Sequence, residues 1–208
     1  GNLEAFVIFV DINGFTMMVR RSGGNLIAQF VRDTLFGAIE GIEAEGGEVF
    51  NFAGDAVVGL LPTAESVLAA CFRIAKDLNK VCEHISQTQS ESDTNQQWNF
   101  APGGPSLKIA VEYGRLDVST MSTRMLGSHR HIVGDPINIA SRISSAGAGN
   151  RCLVGAKAAE AGLSQYGLDG PYTIEGKPGE GDYVYYKLDL ADAWLSGEDD
   201  GEGLSYLT

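Results

Sequence analysis

Phe6-Val7-Ile8-Phe9-Val10-Asp11-Ile12-Asn13-Gly14-Phe15-Thr16 decides how the chain is read. Leu3 to Asp11 is mostly apolar, β-branched and aromatic and reads as a strand, while Ile12 to Thr16 reads as a turn with a small flexible centre. The strand therefore delivers a carboxylate to a loop. Working outward, Ile27, Phe30, Val31, Leu35, Ile39 and Ile42 recur at three- and four-residue spacing, which predicts a helix over 25–45 ending before Gly46-Gly47. Two short strands, 48–52 and 56–61, flank the compact connection Ala53-Gly54-Asp55, and Pro62 stops the second. Val67, Ala70, Cys71, Ile74 and Leu78 return to helical spacing over 64–85. Residues 84–105 are polar and without periodicity, as expected of a surface loop. Residues 107–118 read as strand, turn and strand, broken at Gly114, and a hairpin follows to His131. Gly134-Asp135-Pro136 opens a helix running to Ala146, since proline is tolerated in a first helical turn. Asn138 and Arg142, four apart, share one face of it. A strand at 152–154, a short helix from Ala156, strands at 172–175 and 183–188 and an acidic tail complete the chain, with no internal repeat.

The 208 residues are 44% hydrophobic and 20% charged, a composition that excludes disordered, collagenous and coiled-coil classes. Fifteen Lys and Arg against 27 Asp and Glu leave a net charge of −12, which argues against nucleic acid and anionic membranes as partners. An anionic small ligand would need metal ions, a few placed Arg or Lys, and backbone N–H groups. Cys71, Cys82 and Cys152 are far apart and form no CxxC or Cys/His spacing, so a reducing, cytoplasmic setting is expected rather than disulfides or zinc. The apolar run Phe6 to Val10 is far shorter than the roughly 20 residues a membrane helix needs. No basic stretch precedes it, unlike a signal peptide, although a longer native protein could carry an upstream regulatory domain.

The order of elements suggests an α+β sheet with helices packed on one side. If the first strand lies beside the hairpin, the oxygens of Asp11 and Asp55 can meet, and such a pair suits Mg²⁺, whose hard-oxygen shell is completed by water and substrate phosphates. The alternative is that both aspartates serve only the hydrogen bonds of their turns.

Three segments then bear on each other: Phe9 to Thr16, Gly46-Gly47-Glu48-Val49-Phe50-Asn51-Phe52-Ala53-Gly54-Asp55-Ala56, and Val133-Gly134-Asp135-Pro136-Ile137-Asn138-Ile139-Ala140-Ser141-Arg142. In this order they closely resemble the signatures of class III nucleotidyl (adenylate/guanylate) cyclase catalytic domains. The resemblance covers 4–188 and includes Glu175-Gly176-Lys177 before a late strand. It implies a ferredoxin-like, palm-type βαββαβ core sheet with helices on one face and a C-terminal extension. The expected organisation is a catalytic domain over 1–190, with 84–105 as its polar loop, and an acidic tail over 191–208.

The resemblance also implies roles. Asp11 and Asp55 match the family's metal-binding aspartates and the Ile12 carbonyl a further ligand, for two Mg²⁺ or Mn²⁺ ions. Joining the ribose 3′-oxygen to the α-phosphorus with loss of pyrophosphate needs an activated nucleophile and a neutralised leaving group, which a pair of ions supplies. Backbone N–H groups of Asn13, Gly14, Phe15 and Thr16 would cradle phosphate oxygens. Asn138 resembles the residue that orients the ribose, and Arg142 the one that stabilises charge on the pentavalent phosphorus. Arg115 and Lys177 resemble triphosphate contacts, their other reading being solvated surface charge. Asn138 and Arg142 could likewise be an ordinary helix-surface pair, and Phe15 and Phe52 read most simply as core.

Base recognition departs from the family. Where adenylyl members usually carry Lys, and Asp, Thr or Ser, and guanylyl members Glu and Cys, this chain has Asn51 and His131. Asn donates and accepts, and His does either according to tautomer, so ATP is the first expectation, GTP the second and a pyrimidine triphosphate the third. His131 could instead be a cross-strand packing residue. In the family the site lies between two subunits, and this chain carries both halves, so a head-to-tail homodimer is the expected working form. Two alternatives stand beside an active cyclase in cyclic-nucleotide signal transduction. One is a degenerate cyclase-like module that binds nucleotide or a partner and regulates without turnover. The other, a GGDEF-type dinucleotide cyclase, is disfavoured because Gly46-Gly47-Glu48-Val49-Phe50 precedes the hairpin and no acidic pair stands at its tip.

Overall fold

The computed structural model describes residues 1–13, 24–53, 56–89, 106–146 and 151–190. In chain order the elements are β1 (Asn2–Asn13), α1 (Gly24–Ala44), β2 (Glu48–Ala53), β3 (Ala56–Leu61), α2 (Ala64–Gln89), β4 (Ser106–Thr123), β5 (Gly127–Val133), α3 (Asp135–Ser144), β6 (Arg151–Gly155), α4 (Ala156–Glu160), a 3₁₀ turn (Leu163–Tyr166), β7 (Asp169–Glu175) and β8 (Asp182–Asp189). One mixed sheet runs β2-β3-β1-β4-β6-β8-β7, with β5 paired to β4. Its first four strands are antiparallel, each to its neighbour, and with α1 and α2 form the expected βαββαβ core, an α+β palm-type arrangement. No described helix is long and apolar enough to cross a membrane.

β1 is apolar from Ala5 to Val10 because it lies in mid-sheet with both faces covered. Phe6, Ile8, Val10 and Ile12 pack under α1 and α2 with Phe30, Ile42, Val67, Ile74 and Leu78. Ala5 and Val7 face the other way, with Val58, Leu60, Leu116 and Ala140 of α3. Each of these larger side chains, fully buried, contributes about 1.5–3 kcal/mol. Helices α1, α2 and α4 lie on one face as expected, but α3 covers part of the opposite face, because Ala140 and Ile143 give it an apolar stripe of its own.

Two further expectations change. β4 is one continuous strand, with no break at Gly114: a Cβ there would lie 2.9 Å from Cγ of Pro136, so the glycine admits the first turn of α3 rather than making a turn. The helix α2 continues to Gln89, into the segment read as loop, since glutamine extends a helix as readily as most residues and each added residue adds a hydrogen bond; residues 90–105 lie outside the described set. Phe52, read as core, is 58% exposed, because β2 is the edge of the sheet.

Glu112 of β4 is the one carboxylate buried in the described core, 3% exposed. Its Oε1 accepts from the Tyr113 N–H at 2.9 Å and from the Ala158 N–H at 2.8 Å, in the first turn of α4. Burial pushes its carboxyl above the ordinary value, opposed by those backbone bonds and by the charge of Lys157. The folded state therefore holds this proton more tightly than the unfolded chain. Its contribution is fullest below the unfolded value and is lost as pH rises through the raised one. Urea unfolding over a pH series checks this: Glu112→Gln is expected to flatten that fall while keeping an acceptor for α4, whereas Glu112→Ala is expected to lose about 1–3 kcal/mol by stranding a buried N–H.

Candidate functional site

Asp11 stands near the end of β1, flanked on one side by Ala56 of β3 and on the other by Lys108 of β4. Strand alternation puts it on the sheet face shared with α3, and its cross-strand partner Lys108 projects to the same face. The ladder with β3 ends at Asp11, while that with β4 continues through Ile12 to Asn13. The Ile12 side chain is buried in the core, so what it has to offer a ligand is its backbone. Asp55, Gly14, Phe15 and Thr16 lie outside the described residues, although Asp55 directly precedes Ala56, the register partner of Asp11. A carboxylate, a backbone carbonyl and an adjacent lysine are a hard-oxygen donor set with a counter-charge, and suit Mg²⁺ or Mn²⁺ with phosphate. Among the described residues no three His, Cys, Asp or Glu side chains converge.

The second locus is a cleft of about 840 Å³ between α3 and the connection from β7 to β8. Asn138 and Arg142 line it from the helix, joined by Lys177 and Tyr183 from the opposite wall. The Pro136 start of α3 against Gly114 sets the helix on the sheet, and its Ile143 is buried beneath. Arg142 donates from Nη2 to the carbonyl oxygen of Glu175 at 3.0 Å, while its Nε is buried with no hydrogen-bond partner. The guanidinium is thus anchored at one corner and retains an unsatisfied donor, the arrangement expected of a group awaiting an anion. Burial and the bond to Glu180 raise the Tyr183 phenol above its ordinary value, so it serves as a donor.

Asn51 and His131 are both exposed and share no hydrogen bond. Asn51 is paired with Val58 beside a bulge in β2, and His131 with Ser119 across the β4–β5 hairpin. An ion pair between Arg130 and Glu48 draws their two strands together. Arg115 belongs to neither locus of one chain: it pairs with Glu4, seven residues before Asp11 along β1, about 23 Å away at strand rise. The cation beside Asp11 is Lys108, which sequence reasoning passed over. The signal was a lone lysine at the start of an apolar strand, and only the β1–β4 register reveals its neighbour.

The sequence profile of the adenylate and guanylate cyclase catalytic domain matches residues 3–189. The chain belongs to this family. No curated protein matches it. Among solved structures, the adenylyl cyclase CyaB from P. aeruginosa is similar with a TM-score of 0.69 at 17% identity, over 91% of this chain and 95% of that one. The guanylate cyclase domain of RhGC from Catenaria anguillulae, in complex with GTP, is similar at 0.62 and 17%, over 90% and 97%. A class III adenylyl cyclase-like ATP-binding protein from Pseudomonas aeruginosa is similar at 0.61 and 17%, over 77% of this chain and 35% of that one. At these identities the likeness is one of fold, and it spans both adenylyl and guanylyl members.

Proposed function

We propose that the chain converts a nucleoside triphosphate, ATP before GTP, to its 3′,5′-cyclic monophosphate and pyrophosphate. The observation that carries this reading is the convergence of Asn138, Arg142 and Lys177 on one cleft, with the Arg142 Nε buried and unsatisfied. The ribose 3′-hydroxyl gives up its proton to water as its oxygen forms a bond to the α-phosphorus, the bond from that phosphorus to the bridging oxygen breaks, and pyrophosphate leaves with that electron pair. Asn138 holds the ribose through its amide, Arg142 meets the charge that grows on the phosphorus, and Lys177 and Lys108 neutralise phosphate oxygens. Asp11, Asp55 and the Ile12 carbonyl would hold Mg²⁺ or Mn²⁺, which when bound supplies activation of the 3′-hydroxyl and charge for the departing pyrophosphate.

Asp11 is not among the residues lining the cleft, which supports a site shared between two copies arranged head to tail, Asp11 and Lys108 from one and Asn138, Arg142 and Lys177 from the other. A second reading is a nucleotide-binding regulatory module without turnover. Asn51 and His131 in the base-reading positions favour it.

Competition among ATP, GTP, CTP and UTP, with Mg²⁺ or Mn²⁺ and mass spectrometry of the cyclic products, tests the proposal. One dominant cyclic product is expected, and its base assigns what Asn51 and His131 select. Absence of product from folded, dimeric protein with either metal selects the regulatory reading.

A further inference from the structure

The wall of the cleft opposite α3 is a short, closed loop. The Gly176 N–H donates to the Gly181 carbonyl at 3.0 Å and the Glu180 N–H to the Lys177 carbonyl at 2.9 Å. A Cβ on Gly176 would lie 2.1 Å from that Gly181 oxygen, so only glycine closes the ring. The Glu180 carboxylate completes it: Oε2 accepts from the Lys177 N–H at 3.2 Å and from the Tyr183 hydroxyl at 3.1 Å. Arg142 reaches across to the carbonyl of Glu175, where the loop begins. The Glu180 side chain thus ties the backbone of Lys177 to the strand that follows, and with Asp135 of α3 it sets two carboxylates beside Arg142 and Lys177 in the cleft.

An acidic group facing a polyphosphate site is at first sight unfavourable, since it repels the ligand. We infer that Glu180 is a positioning residue: its carboxylate fixes the backbone of Lys177, through the bonds to Lys177 N–H and Tyr183 hydroxyl, so that the lysine is presented to a triphosphate in the α3 cleft. The inference rests on the cyclase reading for its ligand, but its mechanism belongs to the loop. The two possible roles of Glu180 have opposite signs. Acting only as a charge, its removal as either Gln or Ala tightens anion binding. Acting as a tie, Glu180→Ala loosens binding, whereas Glu180→Gln, which retains an acceptor oxygen, does not.

The test is calorimetric titration of the full chain with inorganic tripolyphosphate, beside cyclase kinetics with the preferred nucleotide. Loss of two exposed hydrogen bonds predicts that Glu180→Ala binds tripolyphosphate about fivefold more weakly, with KM raised by a similar factor and kcat little changed. Glu180→Gln is expected to match the parent or bind slightly tighter. Tyr183→Phe, which keeps the ring, is expected to show part of the Ala effect. In a Lys177→Ala background Glu180→Ala should add nothing, as required of a group acting through that lysine. Tighter or unchanged binding in Glu180→Ala overturns the inference, as does an undiminished effect without Lys177. Tripolyphosphate binding by the parent with no cyclic product overturns turnover but leaves the role of Glu180 standing. Absence of both overturns the two together.

Discussion

Asp11→Ala is expected to lose cyclic-nucleotide formation by about a thousandfold or more, with folding and self-association intact, because the lost carboxylate would hold the metal ion that activates the 3′-hydroxyl and offsets the charge of the departing pyrophosphate. The structure explains why the fold should tolerate it. Asp11 stands near the end of β1 and faces away from Val10 and Ile12, which fill the core under α1 and α2, and its neighbours Ala56 and Lys108 are held by backbone pairing that alanine preserves. Asp55→Ala should behave alike. Rates at saturating Mn²⁺ and Mg²⁺, with circular dichroism and sedimentation of the same samples, check this. Activity within tenfold of the parent would remove Asp11 from the metal site.

Mixing Asp11→Ala chains with Arg142→Ala chains is expected to restore activity that neither possesses. If each site takes Asp11 from one copy and Arg142 from the other, a mixed dimer holds one site with both residues intact and one with neither. Random exchange at equal concentrations then yields about a quarter of the parental activity, since half the dimers are mixed and each has one of two sites. A mixture no more active than its components, with exchange verified by differently tagged chains, would place both residues in a single-chain site and overturn the shared arrangement.

The helices and core strands were legible because their signals are local. Three- and four-residue spacing marked α1 and α2, and the apolar run before Asp11 marked β1. Gly114 misled because glycine has two uses: the sequence offered a turn, while the chain used it to admit Pro136, a contact made between residues 22 positions apart. The cleft shows the same limit. Asn138 and Arg142 could be paired by helical spacing, and Lys177 joined them through its motif, but Glu180 and Tyr183 have no signal of their own, since their value comes from bonds to one loop. Lys108 was illegible for the same reason, because the residue it stands beside is almost a hundred positions away in the chain.

The bond from Arg142 to the carbonyl oxygen of Glu175 has a consequence for how this surface can vary over evolutionary time. The acceptor belongs to the main chain, so the anchor is indifferent to which side chain occupies position 175. That position is free to drift, and to be recruited for contacts with other proteins, without loosening the guanidinium. Drift at the helix end of the same bond has no such freedom, since lysine there would replace a planar, forked donor with a single point of charge.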